Sequence, residues 1–479
     1  MLRRHRLATG FAAALLLSAC ARNPATGDRE LMLVSESQEI EMGRQYDKEI
    51  IASIGLYPDP ALQTYVQALG TRLAATSERP KLPWTFRVVD DPAVNAFALP
   101  GGFIYVTRGI MAHMTSEAQL ATVLGHEIGH VTARHTAAQI SKQQLATLGL
   151  AIGSIASSQI ERYAGIAGQA LGLMFLKFSR DNENQADELG VRYSSRANYD
   201  SREMAHVMRL LDKLSSGSGG RLPEWLATHP NPGNRLEHIN RLVSHTQQDF
   251  TGAIVNREAY ERRLDGVIFG INPREGFFKG TTFYHPDLRF QLAFPSGWKT
   301  FNGKQAVAAQ STQQDAVIEL TLVEGSNADQ AARVFLSAEG IQAGTVSRGN
   351  INGLTASEAP FAVSTESGTV RGNALFVEYG SSVYRLLAYS PEARWSAYQG
   401  VAQRALQSFG RLTDPAMLNV QPQHLDIITI DRRTTIAQLA QQRPSPVPVA
   451  TLALINQVDE TTPLEPGRVV KWVVGQPLP

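Results

Sequence analysis

The sequence predicts an α+β protein in three parts: a mostly helical N-terminal half with a small sheet, an α+β module, and a small strand-helix-helix-strand module at the end. Three patterns predict it. Between residues 35 and 250 apolar residues recur at helical spacing, interrupted by short strand-like runs within 84–107. The stretch 270–412 is dominated by strand-like runs (RFQLAF, AVIELTLV, ALFVEYG, VYRLLAY), with helical patterns near 329–341 and 392–408. Within 423–475 the order is LDIITI, TTIAQLAQQ, VATLALINQV and PLEPGRVVKWV. With 479 residues, 43% hydrophobic and 19% charged, the chain can build more than one core. Its formal net charge of +1 gives no support for nucleic-acid binding and argues equally little for electrostatic attraction to anionic lipid.

In chain order, Arg3, Arg4 and Arg6 precede an apolar run from Phe11 to Leu17, which ends in Leu-Ser-Ala-Cys at 17–20. This reads as a secretory signal with a lipobox-like end, so residues 1–19 are expected to be removed and Cys20 lipidated. Cys20 is the only cysteine, which excludes an intramolecular disulfide. Residues 20–34 read as a polar linker. Ser35 with Gln38 resembles a capping box opening a helix to about residue 54, and Asp59-Pro60 starts another with the stripe Leu62, Tyr65, Val66, Leu69 and Leu73. Residues 84–89 and 94–99 read as strands, and Pro100-Gly101-Gly102 turns the chain into a third, Phe103 to Thr107.

Ser116 and Gln119 suggest a cap for the next helix, whose buried stripe is Leu120, Val123, Leu124 and Val131. Gly125 and Gly129 each cost about 1 kcal/mol in a helix interior, which suggests that another element packs closely there. On this helix lies His-Glu-Ile-Gly-His at 126–130. Positions i and i+4 share a face, so His126 and His130 can offer two imidazole nitrogens to one zinc ion, with Glu127 beside the water the metal would activate. The completion HExxHxxGxxH fails, since Ala133 and Thr136 stand where glycine and histidine are needed. His135, on a continuous helix, points away from both and reads as solvated or as a supporting residue. The other completion takes Glu183 from SRDNENQADELG (179–190). Glu183 would close a His2Glu site, and Asp187, four residues on, would orient a ligand histidine. The alternative for that segment is a charged, solvated helix face.

The blocks GHEIGHVTARH, SRDNENQADELG and ATHPNPGNRLEHI, in this order, resemble the three signatures of the HtpX/CAAX-prenyl-endopeptidase family, particularly its periplasmic BepA-like lipoprotein members. NPATGDRELMLVSESQEIEMGRQ and NAFALPGGFIYVTRGI are also similar to that subgroup, and the match runs over roughly residues 23–245. The resemblance implies a gluzincin-type zinc metalloendopeptidase domain over 35–250, with one Zn2+ per chain. His126, His130 and Glu183 would be metal ligands, Glu127 the base and Asp187 a supporting residue. His229 and Arg235 would lie near the reaction centre as catalytic groups that stabilise the oxyanion, although a neutral His229 could instead occupy the metal's open position. The strand Phe103, Ile104, Tyr105 and Val106, if an exposed edge, would bind extended substrate by strand addition.

The reading is therefore a lipid-anchored zinc protease on the periplasmic side of a bacterial envelope, acting on extended or misfolded envelope proteins. Ala21 lacks the aspartate known to retain lipoproteins at the inner membrane, which leans toward the outer one. Residues 144–176 are read as helices covering the cleft, since their apolar runs fall short of the roughly 18 residues needed for a span. SSGSGG at 215–220 is read as a flexible loop. HPDLRFQLAFPSGWKT is similar to PsbP/Mog-type domains. Residues 423–475 resemble a LysM module, whose glycan would be peptidoglycan, but the Gly-Asp usual before its first helix is missing. A chaperone or assembly factor with a structural zinc and a peptidoglycan-associated C-terminal module is the alternative function.

Overall fold

The computed structural model describes residues 20–149, 177–217, 225, 228–229, 232–246, 248–365 and 368–479. The expected signal peptide, residues 150–176 of the expected cleft-covering helices and residues 218–220 of the SSGSGG loop lie outside them. Strands β1 (Cys20–Arg22) and β2 (Arg29–Leu31) pair as an antiparallel hairpin, so the stretch read as a linker is folded. Asn23 makes the turn: its backbone bonds Asp28 and Gly27, and its buried side chain donates to Glu30.

Capping residues set the next elements. The Ser35–Gln38 capping box is present at the start of α1 (Glu36–Ser53). Asp59 caps α2 (Pro60–Ala74), with Pro60 in the position where a missing N–H costs nothing. A three-stranded sheet follows, β3 (Thr85–Val89), β4 (Ala96–Leu99) and β5 (Phe103–Thr107), in the order β3-β5-β4. Strand β5 is central, parallel to β3 and antiparallel to β4, with all five residues buried. This corrects the expectation that Phe103, Ile104, Tyr105 and Val106 form an exposed edge. Both faces and both sides of that run are covered, which suits its uninterrupted apolar character.

The outer side of β3 is closed as well. Gln63 and Gln67 of α2 bond the N–H groups of Val88 and Phe86 and the carbonyls of Val88 and Trp84 through their side-chain amides. On β4, Thr107 N–H donates to Asn95 O at 3.1 Å. The alternation of an antiparallel ladder then turns the N–H and C=O groups of Ala96 and Ala98 away from β5.

Helix α3 (Arg108–His113) leads into α4 (Glu117–Thr132), whose cap Ser116 accepts from Gln119 N–H at 3.1 Å. After α5 (His135–Gly149), helix α6 (Arg180–Arg196) crosses α4. A Cβ on Gly125 would stand 3.0 Å from Gly190 O, and one on Gly129 3.2 Å from Ala186 Cα. The two glycines, unfavourable as helix residues, are what let the helices touch backbone to backbone. Helices α7 (Glu203–Gly217), α8 (Pro232–His245) and α9 (Arg257–Arg263) and the short strand β6 (Ile268–Phe269) complete this part.

The chain divides into two compact units, and the second is centred on Ile271–Pro422. Its eight-stranded antiparallel sheet carries a helix on each face, Ala328–Leu336 and Glu392–Gln407. Alternate residues of strand Gly368–Tyr379 serve the two faces: Ala374 and Phe376 pack with Phe335, Leu375 and Val377 with Trp395 and Leu406.

Residues Gln423–Gly475 return to the first unit. Strand β7 (Gln423–Thr429) lies between β6 and β8 (Val469–Val474), with α10 (Ile436–Gln442) and α11 (Val449–Ile455) connecting β7 to β8. Leu425, Leu452 and Trp472 belong to the same hydrophobic core as Met111 and Ala118. The whole chain is α+β, and among the described residues no helix is long and apolar enough to cross a membrane.

Candidate metal centre

Helical geometry brings the first groups together. One turn apart on α4, His126 and His130 place their Nε2 atoms 3.0 Å from each other. Glu183 enters from the first turns of α6, with Oε2 3.7 Å from His126 Nε2 and Oε1 3.6 Å from His130 Nε2. His229 puts Nδ1 2.9 Å from Glu183 Oε1 and 3.4 Å from His126 Nε2. Donor atoms of His126, His130, Glu183 and His229, all buried, lie within 4.8 Å of one another. Glu127 stands beside them, its Oε1 3.8 Å from His229 Nε2 and 3.5 Å from Trp225 Nε1.

The outward nitrogens decide what the inward ones can do. His126 Nδ1 faces Asp187 Oδ1 at 3.0 Å, so a proton held there leaves the Nε2 lone pair pointing inward. On the other side a relay runs from His130 Nδ1 to His135 Nδ1 at 2.9 Å, and from His135 Nε2 to Gln185 Oε1 at 2.7 Å. Gln185 Oε1 only accepts, so His135 carries its proton on Nε2, His130 carries its own on Nδ1, and the His130 Nε2 lone pair also points inward. Two lone pairs 3.0 Å apart, facing a carboxylate, repel unless a cation lies between them. Two imidazoles and a carboxylate are a donor set suited to zinc.

Burial, together with neighbouring imidazoles, holds His130 neutral by pushing its pKa well below the ordinary value, and burial lowers His135 to about 4. Burial would raise Asp187, but Arg235 and His126 outweigh it and keep this carboxylate well below the usual range. Glu183 is likewise lowered by His229 and Arg235 against its burial. Burial depresses His229, yet the Glu183 carboxylate beside it raises its pKa overall.

Arg235 of α8 bonds Asp187 through Nε and Nη2 at 2.8 and 2.6 Å, and its Nη1 lies 2.9 Å from Glu183 Oε2. It braces the two carboxylates of α6. Two aromatic residues that sequence reasoning did not single out complete the surroundings. Trp225 stacks on His229 at 4.6 Å under the Arg235 guanidinium, and Phe178 stacks on His130 at 4.1 Å. Trp225 was legible in principle, since it stands four residues before His229 and accepts the His229 N–H at 2.8 Å in a helical turn. Phe178 carries no such signal. Among the sequence-singled residues, Phe103–Val106 lie in the sheet outside the cluster and Cys20 begins the hairpin.

Residues 60–243 match the profile of peptidase family M48. The beta-barrel assembly-enhancing protease of Escherichia coli K12 is 34% identical over 246 residues, covering 47% of this chain and 50% of that protein. The mitochondrial metalloendopeptidase OMA1 of Arabidopsis thaliana is 38% identical over 162 residues, covering 34% of this chain and 32% of its own. The chain spans about half the length of the curated relatives it matches. Cyanobacterial PsbP from Synechocystis covers 28% of this chain and 95% of its own at 14% identity, with a TM-score of 0.24.

Proposed function

Residues 60–243 of this chain match the profile of peptidase family M48, and from that match we propose that the protein is a zinc-dependent endopeptidase, lipid-anchored at Cys20 on the periplasmic side of a bacterial envelope. The observation that carries the reading is the convergence of His126, His130 and Glu183 with Glu127 at their side. When bound, zinc supplies Lewis-acid polarisation of the scissile carbonyl and acidifies the attacking water. Glu127 takes the water's proton and delivers it to the leaving amine nitrogen. Asp187 and the His135–Gln185 relay hold the two ligand imidazoles in the required tautomer. Arg235 is occupied by two carboxylates, so the oxyanion donor in this proposal is His229 alone, acting once it has turned out of the donor cluster.

Substrate would align along β4 rather than β5. Ala98, the partly exposed residue of β4, offers outward N–H and C=O groups beside the zinc helix, and Val94 O already accepts from Trp225 N–H at 3.3 Å in the same register. Such a site selects extended chain over particular sequence. The substrates would be exposed or misassembled envelope proteins, and the role quality control, in keeping with the assembly function in the E. coli relative's name.

A second reading, a chaperone or assembly factor with a structural zinc, is favoured by one observation: His229 makes the donor set four and closes it. Purified protein incubated with an unfolded polypeptide separates the two. Under the protease reading wild type cleaves it and Glu127→Gln does not. Equal absence of cleavage in both would favour the structural zinc.

A further inference from the structure

We propose that the protein is held to its membrane without a tether, so that its substrates are polypeptide segments lying extended at the bilayer surface; this rests on the reading above of a lipid-anchored endopeptidase. Strand pairing begins at Cys20 itself, which stands opposite Leu31. Asn23, 1% exposed, donates its side-chain amide to Ala133 O at 3.2 Å, just past the end of the zinc helix. Past the hairpin, Met32 and Val34 pack against Ala137 and Ala138 of α5, and Leu33 N–H donates to Ser141 Oγ at 3.0 Å. Arg134 then bonds Val34 O at 2.6 Å and also Glu39, while Arg79 joins Glu36, Glu39 and Val131 O. The segment that would carry the anchor is thus fastened to both ends of the turn between α4 and α5.

The distances that follow are short. Three residues from Cys20 to Asn23 span about 10 Å at full extension, and Ala133 lies three residues beyond His130, about 4.5 Å along a helix. With the length of the Asn23 side chain added, the metal cluster stands on the order of 20 Å from the lipidated residue. A flexible linker of about 20 residues would by itself add roughly 25 Å of reach. Substrate loops held well above the headgroups are therefore out of range.

A second observation points to the same surface. Arg22 and Arg29 stand directly opposite each other across the hairpin, both exposed, and neither forms an ion pair among the described residues. Like charges in directly opposed positions destabilise a strand pair. Anionic headgroups at the anchor point would neutralise both side chains.

The test uses the full lipidated chain in phosphatidylethanolamine–phosphatidylglycerol vesicles. An unfolded polypeptide is attached to the same vesicles either directly or on a rigid helical spacer of about 40 residues, roughly 60 Å. A second protein carries a flexible Gly/Ser insertion of about 20 residues after Ala21. Wild type is expected to cleave the directly attached substrate at least about tenfold faster than the raised one, because effective concentration vanishes where the span cannot be bridged. The insertion variant should narrow that ratio while cleaving the same polypeptide in solution as fast as wild type. Equal rates at both heights for wild type would overturn the tetherless placement, as would mass spectrometry finding an unacylated mature N-terminus. Absence of cleavage in solution, by contrast, would overturn the protease reading beneath it.

Discussion

His135 shows how one backbone angle decides a side chain's role. On a continuous helix it would point away from His126 and His130, but α4 ends at Thr132, and Arg134 at φ 60 turns the chain back so that His135 reaches His130. His135→Ala should still bind zinc at saturation but with affinity lowered about 10–100-fold, the usual cost of losing a ligand's outer partner. Competition with a chelator measures it, and unchanged affinity would contradict the relay. For His229, removal of an oxyanion donor should lower turnover about 10²–10³-fold in His229→Ala. A mutant faster than wild type would show instead that this imidazole's place in the donor cluster is inhibitory. The donors on α4 and α6 were legible because a four-residue spacing puts two side chains on one face whatever the tertiary context. His135 could be read only as either solvated or supporting, because its position depends on where the helix stops.

At the scale of elements, the α4–α6 crossing positions Glu183 against the two histidines, and it depends on glycine. Gly125→Val would drive a side chain into the Gly190 backbone, so it should destabilise the protein by about 1–3 kcal/mol and lower zinc affinity, read by urea denaturation and zinc titration. A variant with wild-type zinc affinity would mean that the crossing does not set the site. In the second unit, Glu319 is fully buried on strand Val317–Val323, with neither oxygen hydrogen-bonded among the described residues. Burial raises its pKa to about 8, partly offset by Arg385. A carboxyl raised on folding favours the folded state at low pH, and that contribution is lost as pH rises from about 4.5 to 8. Glu319→Gln should remove this loss and be more stable at pH 8 by a few kcal/mol, at about 1.4 kcal/mol per pH unit. Superimposable pH profiles for the two proteins would refute it. The helix caps and all three strands of the first sheet could be read from sequence, because caps and short apolar runs are local signals. Strand order could not: FIYVT fits a central or an edge strand until its neighbours are known.

For the whole molecule, the C-terminal module belongs to the same compact unit as the candidate metal centre. Lys471 of β8, fully buried, donates to Ala112 O at 2.7 Å and to Met114 O, carbonyls at the C-terminal end of α3, shortly before α4. Gln457 and Gln119 of that helix exchange amide bonds at 2.8 and 2.9 Å. Truncation after Pro422 should therefore expose a shared core and give a protein that aggregates or fails to retain zinc. A soluble, zinc-loaded, active truncation would contradict this. Nothing in the sequence announces the arrangement, since the partners are more than 300 residues apart and only tertiary packing joins them. The element order within the module was readable; where it docks was not. The central claim, that His126, His130 and Glu183 hold a catalytic zinc, is tested most directly by metal analysis of Glu183→Ala beside His135→Ala at saturating zinc. Glu183→Ala should lose its metal while His135→Ala retains one zinc per chain; full zinc in Glu183→Ala with loss in His135→Ala would refute the ligand set.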